Sequence, residues 1–240
     1  FNAFKRYKQT TFHVYHLTTE MSEIAENTKK VRENIARVSN DRNVQLVAVS
    51  KTVPAERISE AYDAGIKIFG ENRIQEAIPK IAKLVSLAAD WHFIGHLQTN
   101  KAREAVRYFS WIQSIDSRKL LVQVEKEAAK QQKNINLLLE LNIGDEESKH
   151  GLTENNLPEI LKAGAEIQWC KIRGLMIIPP FDEDPEKIRP YFTRLRKIRD
   201  HWQKDYPDLT ELSMGMSNDY EIAIQEGATM VRIGTSIFGS

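Results

Sequence analysis

Short apolar segments alternate with longer amphipathic segments along most of the chain, and the pattern recurs eight times. Each apolar segment ends in small or polar residues, and the segment after it spaces its hydrophobic residues as one face of a helix does. Alternation of this kind is typical of parallel strands joined by helices. The predicted strands span residues 46–51, 66–72, 91–95, 111–116, 135–143, 171–178, 211–216 and 230–235.

Eight strand–helix units in a chain of 240 residues favour a closed α/β barrel, the (β/α)8 TIM barrel, over an open sheet. An extra N-terminal helix is predicted at about 22–38. No linker rich in proline or glycine divides the chain, so residues 21–240 are predicted to form one domain. Residues 1–20 are aromatic and mildly basic, with no acidic residue before Glu20. We expect them to be an unstructured extension, with the native start at Met21.

The composition argues against several classes of partner. A formal net charge of +1, from 34 basic and 33 acidic side chains, provides no long-range field for nucleic acid or an anionic membrane. No apolar run approaches the length that crosses a bilayer. The single cysteine, Cys170, excludes an intramolecular disulfide and fits a reducing compartment. We therefore expect a cytoplasmic protein in which Cys170 is a packed thiol.

Candidate chemistry gathers at the predicted strand ends. Lys51 closes the apolar strand LVAVSK, and two loops of small residues, SMGMSND and RIGTSIFG, follow much later. An amine at a strand end, with backbone N–H groups at two later helix starts, could hold an aldehyde that also carries a phosphate. Pyridoxal 5′-phosphate is such a molecule. Active sites of these barrels lie at the carboxyl ends of the strands, with phosphates in the loops after strands 7 and 8.

Arg232 lies on the last predicted strand, which barrel closure places beside the first. If its side chain points inward, Met230 and Gly234 share its face while Val231 and Ile233 face the helices. A buried guanidinium needs an acceptor. That acceptor is either the ring nitrogen of a bound cofactor or a barrel carboxylate; Glu140 and Glu71 are the candidates.

The remaining candidates are weaker when taken singly. Ser217 precedes a predicted helix start, at which Asn218 and Glu221 have the spacing of a capping box. Gly234 and Thr235 open a short final helix, so their N–H groups point outward. Asn72 ends the second strand and either donates to a cofactor ring oxygen or is an ordinary loop asparagine.

His92 and His96 have a spacing that suits zinc only on a helix, and this segment is predicted to be a strand with no third ligand nearby. We therefore expect structural histidines and no metal.

Seven segments together resemble the pyridoxal phosphate homeostasis protein family, whose barrel is similar to the N-terminal domain of alanine racemase, fold type III of the cofactor enzymes. They are VAVSK, FGENRIQEAIPK, WHFIGHLQTNK, NIGDEESKHG, RGLM, LSMGMSND and VRIGTSIFG. The resemblance implies that Lys51 forms a Schiff base with the cofactor, that Asn72 approaches its ring and that Arg232 contacts the ring nitrogen. It also implies that Ser217, Gly234 and Thr235 bind the phosphate.

The same resemblance implies a function other than ordinary catalysis: binding, buffering and delivery of pyridoxal phosphate, with indirect effects on amino-acid and keto-acid balance. Transient contact with apo-enzymes that need the cofactor, and a monomeric state, are also expected. Two alternatives stay open. One is a small racemase or lyase that uses the same cofactor, and the other is an aldolase whose Lys51 reacts directly with a carbonyl substrate.

Overall fold

The computed structural model describes residues 21–40, 42–143 and 150–239, in which eight parallel strands close into a barrel. The strands are β1 Gln45–Val49, β2 Ile68–Glu71, β3 Asp90–Phe93, β4 Trp111–Ile115, β5 Ile135–Glu140, β6 Cys170–Met176, β7 Glu211–Ser213 and β8 Met230–Ile233. β8 pairs with β1, and Arg232 stands opposite Val47 in that register. The predicted (β/α)8 barrel is confirmed; the predicted extension at 1–20 lies outside the described residues.

Between successive strands, a helix returns the chain to the end of the barrel at which the next strand begins. They are α1 Glu23–Ser39, α2 Ala55–Asp63, α3 Ile74–Lys83, α4 Ala102–Tyr108, α5 Arg118–Gln131, α6 Leu157–Ala165, α7 Arg189–Trp202, α8 Tyr220–Gln225 and α9 Thr235–Phe238. Short 3-10 turns at Thr99–Lys101, Glu154–Asn156 and Pro185–Lys187 precede α4, α6 and α7. No helix in the described ranges combines the length and apolar character that a membrane span requires.

The extra N-terminal helix α1 packs on the outside of the last two helices. Its apolar stripe is buried, and Asn27 donates to the carbonyl oxygen of Ile237 in α9. Arg37 forms an ion pair with Glu221 of α8 at 2.9 Å. α8 and α9 follow strands 7 and 8. They therefore adjoin the loops SMGMSND and RIGTSIFG, which we call the anion loops, and α1 supports these segments from outside.

The two faces of the last strand pack differently, as predicted. Val231 and Ile233 belong to the large core between the strands and the helices. Met230 faces the barrel interior, where it packs with Leu138 and Met176. Arg232 therefore points inward, and it is 3% exposed.

Several strands end earlier than predicted. β1 stops at Val49, β2 at Glu71 and β8 at Ile233, and each chain then leaves the ladder to enter its rim loop. The residues that follow these strand ends are small or polar, and they form the rim loops. Lys51, Asn72 and Gly234 consequently lie in loops at the carboxyl-terminal rim.

Candidate functional site

Lys51 lies in a tight turn that directly follows β1. The next residue, Thr52, has a positive φ of 62°, and its hydroxyl donates to the Lys51 carbonyl oxygen at 2.6 Å. A β-branched residue rarely adopts this backbone conformation, which costs free energy. The turn holds an exposed lysine side chain at the rim, where its amine is accessible to a ligand.

A buried ion pair lies beneath this turn. Lys80 contacts Glu71 at 2.9 Å and also donates to the carbonyl oxygen of Ser50 at 2.8 Å. The Ser50 hydroxyl donates to the same carboxylate at 2.6 Å. Glu71 is therefore committed to Lys80 and Ser50, which removes it as one of the two candidate carboxylate partners of Arg232.

Arg232 is held by neutral acceptors. Its Nη1 donates to the Ser213 hydroxyl at 2.6 Å, and its Nη2 donates to the carbonyl oxygen of Ile177 at 2.8 Å. Burial lowers the pKa of Arg232 to about 10, against the opposing attraction of Glu140 and Asp219. The guanidinium stays cationic at neutral pH and projects a fixed positive charge toward the rim.

Behind Arg232, a chain of hydrogen bonds crosses the barrel interior. Ser213 donates to Gln113 Oε1 at 2.6 Å, Gln113 Nε2 lies 2.9 Å from His92 Nδ1, and His92 Nε2 lies 3.4 Å from Asp90. Burial lowers the pKa of His92 despite the neighbouring carboxylate. A neutral His92 that donates from Nε2 and accepts at Nδ1 satisfies every link. The chain fixes the orientation of Arg232.

Two carboxyl groups near Arg232 have pKa values that their surroundings raise. Burial, then repulsion from Asp116, raises the pKa of Glu140 to about 7, while Arg232 opposes the shift. Burial also raises the pKa of Asp219. Glu140 is thus near enough to attract the guanidinium, although the hydrogen bonds of Arg232 run to Ser213 and Ile177.

The two anion loops meet. Ser217 Oγ accepts from the backbone N–H of Ser236 at 3.5 Å, so the loop after β7 touches the first turn of α9. Gly234 precedes α9, as predicted. The predicted capping box at Asn218 is wrong: α8 begins after Asp219, whose carboxylate instead accepts from the Met216 N–H at 2.6 Å. That bond closes the loop and turns Ser217 toward Ser236.

One cavity of about 240 Å³ brings most of the predicted site residues together. Its lining includes Lys51, Ser217, Arg232, Gly234 and Thr235. An amine, a hydroxyl, a guanidinium and backbone N–H groups therefore surround one small volume. This set suits a ligand with both a carbonyl carbon and an anionic group.

Asn72 lies apart from this group. It lines a neighbouring cavity with His96 and Lys101, and its Oδ1 is buried without a hydrogen-bond partner among the described residues. Asn72 occupies the rim beside β2, as expected, but the structure does not place it in the Lys51 cavity.

Sequence reasoning missed one wall of the cavity and the support of Arg232. Pro180, Phe181 and Asp182, from the loop after β6, form the wall, and the Phe181 side chain is 77% exposed. Ser213 supplies the support. The rule that rim loops build the site would have indicated the loop after β6, whereas Ser213 is recognisable only once the strand register is known.

The two histidines of the HFIGH segment have different surroundings. His92 is buried and hydrogen bonded, as expected of a structural histidine. His96 lies at the rim, where its Nδ1 is 3.1 Å from Asp116 and its ring stacks on His150. The expectation that His96 has no further ligands nearby is wrong, because ligands from other strands converge on it.

Comparison with known proteins identifies the relatives of this chain. A family model for the alanine racemase N-terminal domain matches residues 20–240. The pyridoxal phosphate homeostasis protein of Aquifex aeolicus is 44% identical over 220 residues, which cover 91% of this chain and 96% of that protein. Its counterpart in Pseudomonas aeruginosa is 40% identical over 225 residues, which cover 92% of this chain and 96% of that protein.

A solved structure agrees in fold. PipY of Synechococcus elongatus, determined with PLP bound, superposes with a TM-score of 0.83 at 40% sequence identity. The match covers 90% of this chain and 100% of PipY.

Proposed function

The chain belongs to the alanine racemase N-terminal domain family and, within it, to the pyridoxal phosphate homeostasis proteins, and we propose that it binds pyridoxal 5′-phosphate and buffers or delivers it. The observation that carries the proposal is the single cavity at which Lys51, Arg232 and the two anion loops meet. The relatives carry that name, and PipY was solved with PLP bound, which supports the same ligand here.

The donor set fits this cofactor. When bound, pyridoxal phosphate supplies an aldehyde that condenses with a lysine amine, and its ring draws electrons from the substrate carbon. In this chain Lys51 is the amine at the cavity, since it is exposed and held by the Thr52 turn. Arg232 would be the donor for the ring nitrogen. Because a guanidinium keeps its own proton, it would leave that nitrogen unprotonated and weaken the electron draw.

The phosphate belongs at the meeting point of the two loops. Ser217 provides a hydroxyl, and Gly234 and Thr235 provide backbone N–H groups at the start of α9. A Cβ on Gly234 would lie 3.3 Å from the carbonyl oxygen of Val49, so a glycine lets this backbone lie close to the end of β1. Asn72 is proposed to approach the ring from the side of β2.

We further propose that the protein does not turn over amino acids, and that it acts as a cytoplasmic monomer in transient contact with apo-enzymes that require the cofactor. The proposed contact of Arg232 with the ring nitrogen fits this role, because a weak electron sink would hold the cofactor without strongly activating bound amines. The homeostasis name of the relatives supports the same role.

The direct test is to reconstitute the chain with pyridoxal phosphate and follow its visible absorption. We expect a yellow protein that borohydride reduction bleaches, with the cofactor then covalently attached to the peptide containing Lys51. Lys51→Ala should lose the absorption band and the covalent label yet keep its far-UV circular dichroism, because Lys51 lies at the rim and not in the packed core. Lys101→Ala, at the neighbouring cavity, is the matched control and should keep both signals.

Two results would contradict the proposal. A full-length protein that stays colourless with added cofactor would refute binding, and a label on another lysine would refute the role of Lys51. Saturable conversion of D- or L-alanine, faster than by free cofactor, would instead establish an enzyme.

A further inference from the structure

We propose that His96, Asp116 and His150 bind a divalent transition-metal ion of the Zn²⁺ class at the rim of the barrel. Each residue offers one ligand atom, and these atoms all lie within 4.8 Å of one another. The inference goes beyond the proposed cofactor function and does not rest on it. The cofactor cavity is built mainly by loops after β6, β7, β8 and β1, whereas these three residues belong to the opposite half of the rim.

The topology explains why residues so far apart in sequence meet. His96 lies shortly after β3, Asp116 directly after β4, and His150 in the connection between β5 and α6. β3, β4 and β5 are consecutive neighbours in the barrel. Because parallel strands deliver their carboxyl ends to the same rim, three adjacent loops present their side chains to one point.

The distances suit a small cation. Ligand atoms about 2.0–2.2 Å from a tetrahedral zinc ion lie about 3.3–3.6 Å from one another. His96 Nδ1 and Asp116 Oδ2 are 3.1 Å apart, close to that separation. The rings of His96 and His150 are nearly parallel, with centroids 3.7 Å apart and an angle of 11° between their planes. Both imidazoles are exposed, and their side chains would have to rotate to aim both ring nitrogens at one ion.

The ligand types select the class of metal. Two imidazoles and one carboxylate match zinc and its first-row neighbours, whereas Ca²⁺ and Mg²⁺ prefer oxygen ligands. Three protein ligands leave a fourth position open, as in sites where zinc acts on a bound molecule. A cavity of about 240 Å³ adjoins the cluster and is lined by His96, His150 and Glu140.

The local charge also favours a cation. Asp116 and Glu140 are close enough to repel one another, and the side chain of Asp116 is 15% exposed, so water screens this repulsion only in part. An ion bound between the imidazoles and Asp116 would offset that repulsion. Pro180 lines both this cavity and the Lys51 cavity, so the two sites are separated by a single loop.

The test is a calorimetric titration of the full chain with zinc chloride, followed by a titration with cobalt(II) read by visible absorption. Both use a background carrying His13→Gln and His16→Gln, which removes the two histidines of the N-terminal segment. We expect one ion per chain and intense cobalt bands of a four-coordinate site. His96→Gln, His150→Gln and Asp116→Asn should each weaken zinc affinity at least tenfold.

His201→Gln is the matched control, because His201 is an exposed histidine on α7 that belongs to no such cluster within the described chain. It should keep the parent affinity, and far-UV circular dichroism should show that every variant is folded. Binding of fewer than one zinc ion per chain would overturn the proposal, and so would a zinc affinity that the three ligand substitutions leave unchanged. Lys51→Ala should bind zinc normally, so failure of the cofactor proposal and failure of this one are distinguishable.

Discussion

At the scale of single residues, Glu140 shows how burial alters a charge that the sequence presents as ordinary. It ends β5, is 8% exposed and has Asp116 and Arg232 as charged neighbours. Burial is the largest effect and raises its pKa from 4.5 to about 7. Between these two values the native state keeps a proton that the unfolded chain has released, so the free energy of unfolding falls as pH rises through that window.

We therefore predict that Glu140→Gln, which stays neutral, removes this loss. Each pKa unit corresponds to about 1.4 kcal/mol, so the variant should gain roughly 2–3 kcal/mol relative to the parent between pH 5 and pH 8. Urea denaturation of cofactor-free protein at several pH values measures the free energy of unfolding of both proteins. Glu33→Gln, whose side chain is 64% exposed, is the control and should leave the pH profile unchanged. Parallel profiles for parent and Glu140→Gln would contradict the prediction.

At the scale of elements, the connection between β7 and α8 depends on the backbone of Gly215. Its φ is +94°, and a Cβ there would lie 2.6 Å from the Ala223 side chain and 2.9 Å from Tyr220 Cα. Its carbonyl oxygen accepts from the Arg232 N–H at 3.0 Å. This glycine therefore joins the loop that carries Ser217 to the strand that carries Arg232.

Gly215→Ala should lower the free energy of unfolding by roughly 2–4 kcal/mol, from the positive φ and the steric overlap together. It should also weaken pyridoxal phosphate binding, because Ser217 would be displaced. Gly227→Ala is matched in φ, at +98°, but its nearest neighbour is the flexible side chain of Arg196 at 3.2 Å. That control should lose only about 1–2 kcal/mol and keep its affinity for the cofactor. Equal effects of the two substitutions would show that the overlap at Gly215 is unimportant.

At the scale of the whole molecule, the hydrogen-bonded chain through the barrel connects its two ends. It begins at Arg232 near the carboxyl-terminal rim and reaches Asp90, the first residue of β3, through Ser213, Gln113 and His92. Polar groups in a barrel core require hydrogen-bond partners, and here each member of the chain provides a partner for the next. The rim charge on β8 is thus oriented by residues from three other strands.

Gln113→Leu should break this chain, because it leaves His92 Nδ1 without a donor and the Ser213 hydroxyl without an acceptor. We expect a loss of roughly 2–4 kcal/mol in the free energy of unfolding, since each unsatisfied group costs about 1–3 kcal/mol, together with weaker cofactor binding. Chemical denaturation and a cofactor titration test both. Gln123→Leu removes a hydrogen bond between neighbours on the partly exposed face of α5 and should cost less than about 1 kcal/mol. A Gln113→Leu variant as stable as the parent would contradict the role of the chain.

The sequence alone determined the architecture and located most residues of the candidate site. Strand–helix alternation is a local property, and eight repeats leave few closed arrangements. Lys51, Ser217, Gly234 and Thr235 were predictable because rim residues immediately follow strands, so a linear pattern locates them. The inward direction of Arg232 followed from the two-residue period of a strand.

Only the tertiary structure decided which distant residues meet. It paired Glu71 with Lys80, placed Ser213 beneath Arg232 and put Asp219, not Asn218, at the start of α8. It also brought Asp116 and His150 to His96. Such contacts depend on barrel closure and on the register between strands, which side-chain packing sets over the whole circumference. Spacing within one segment carries no information about them, because their partners come from separate strands.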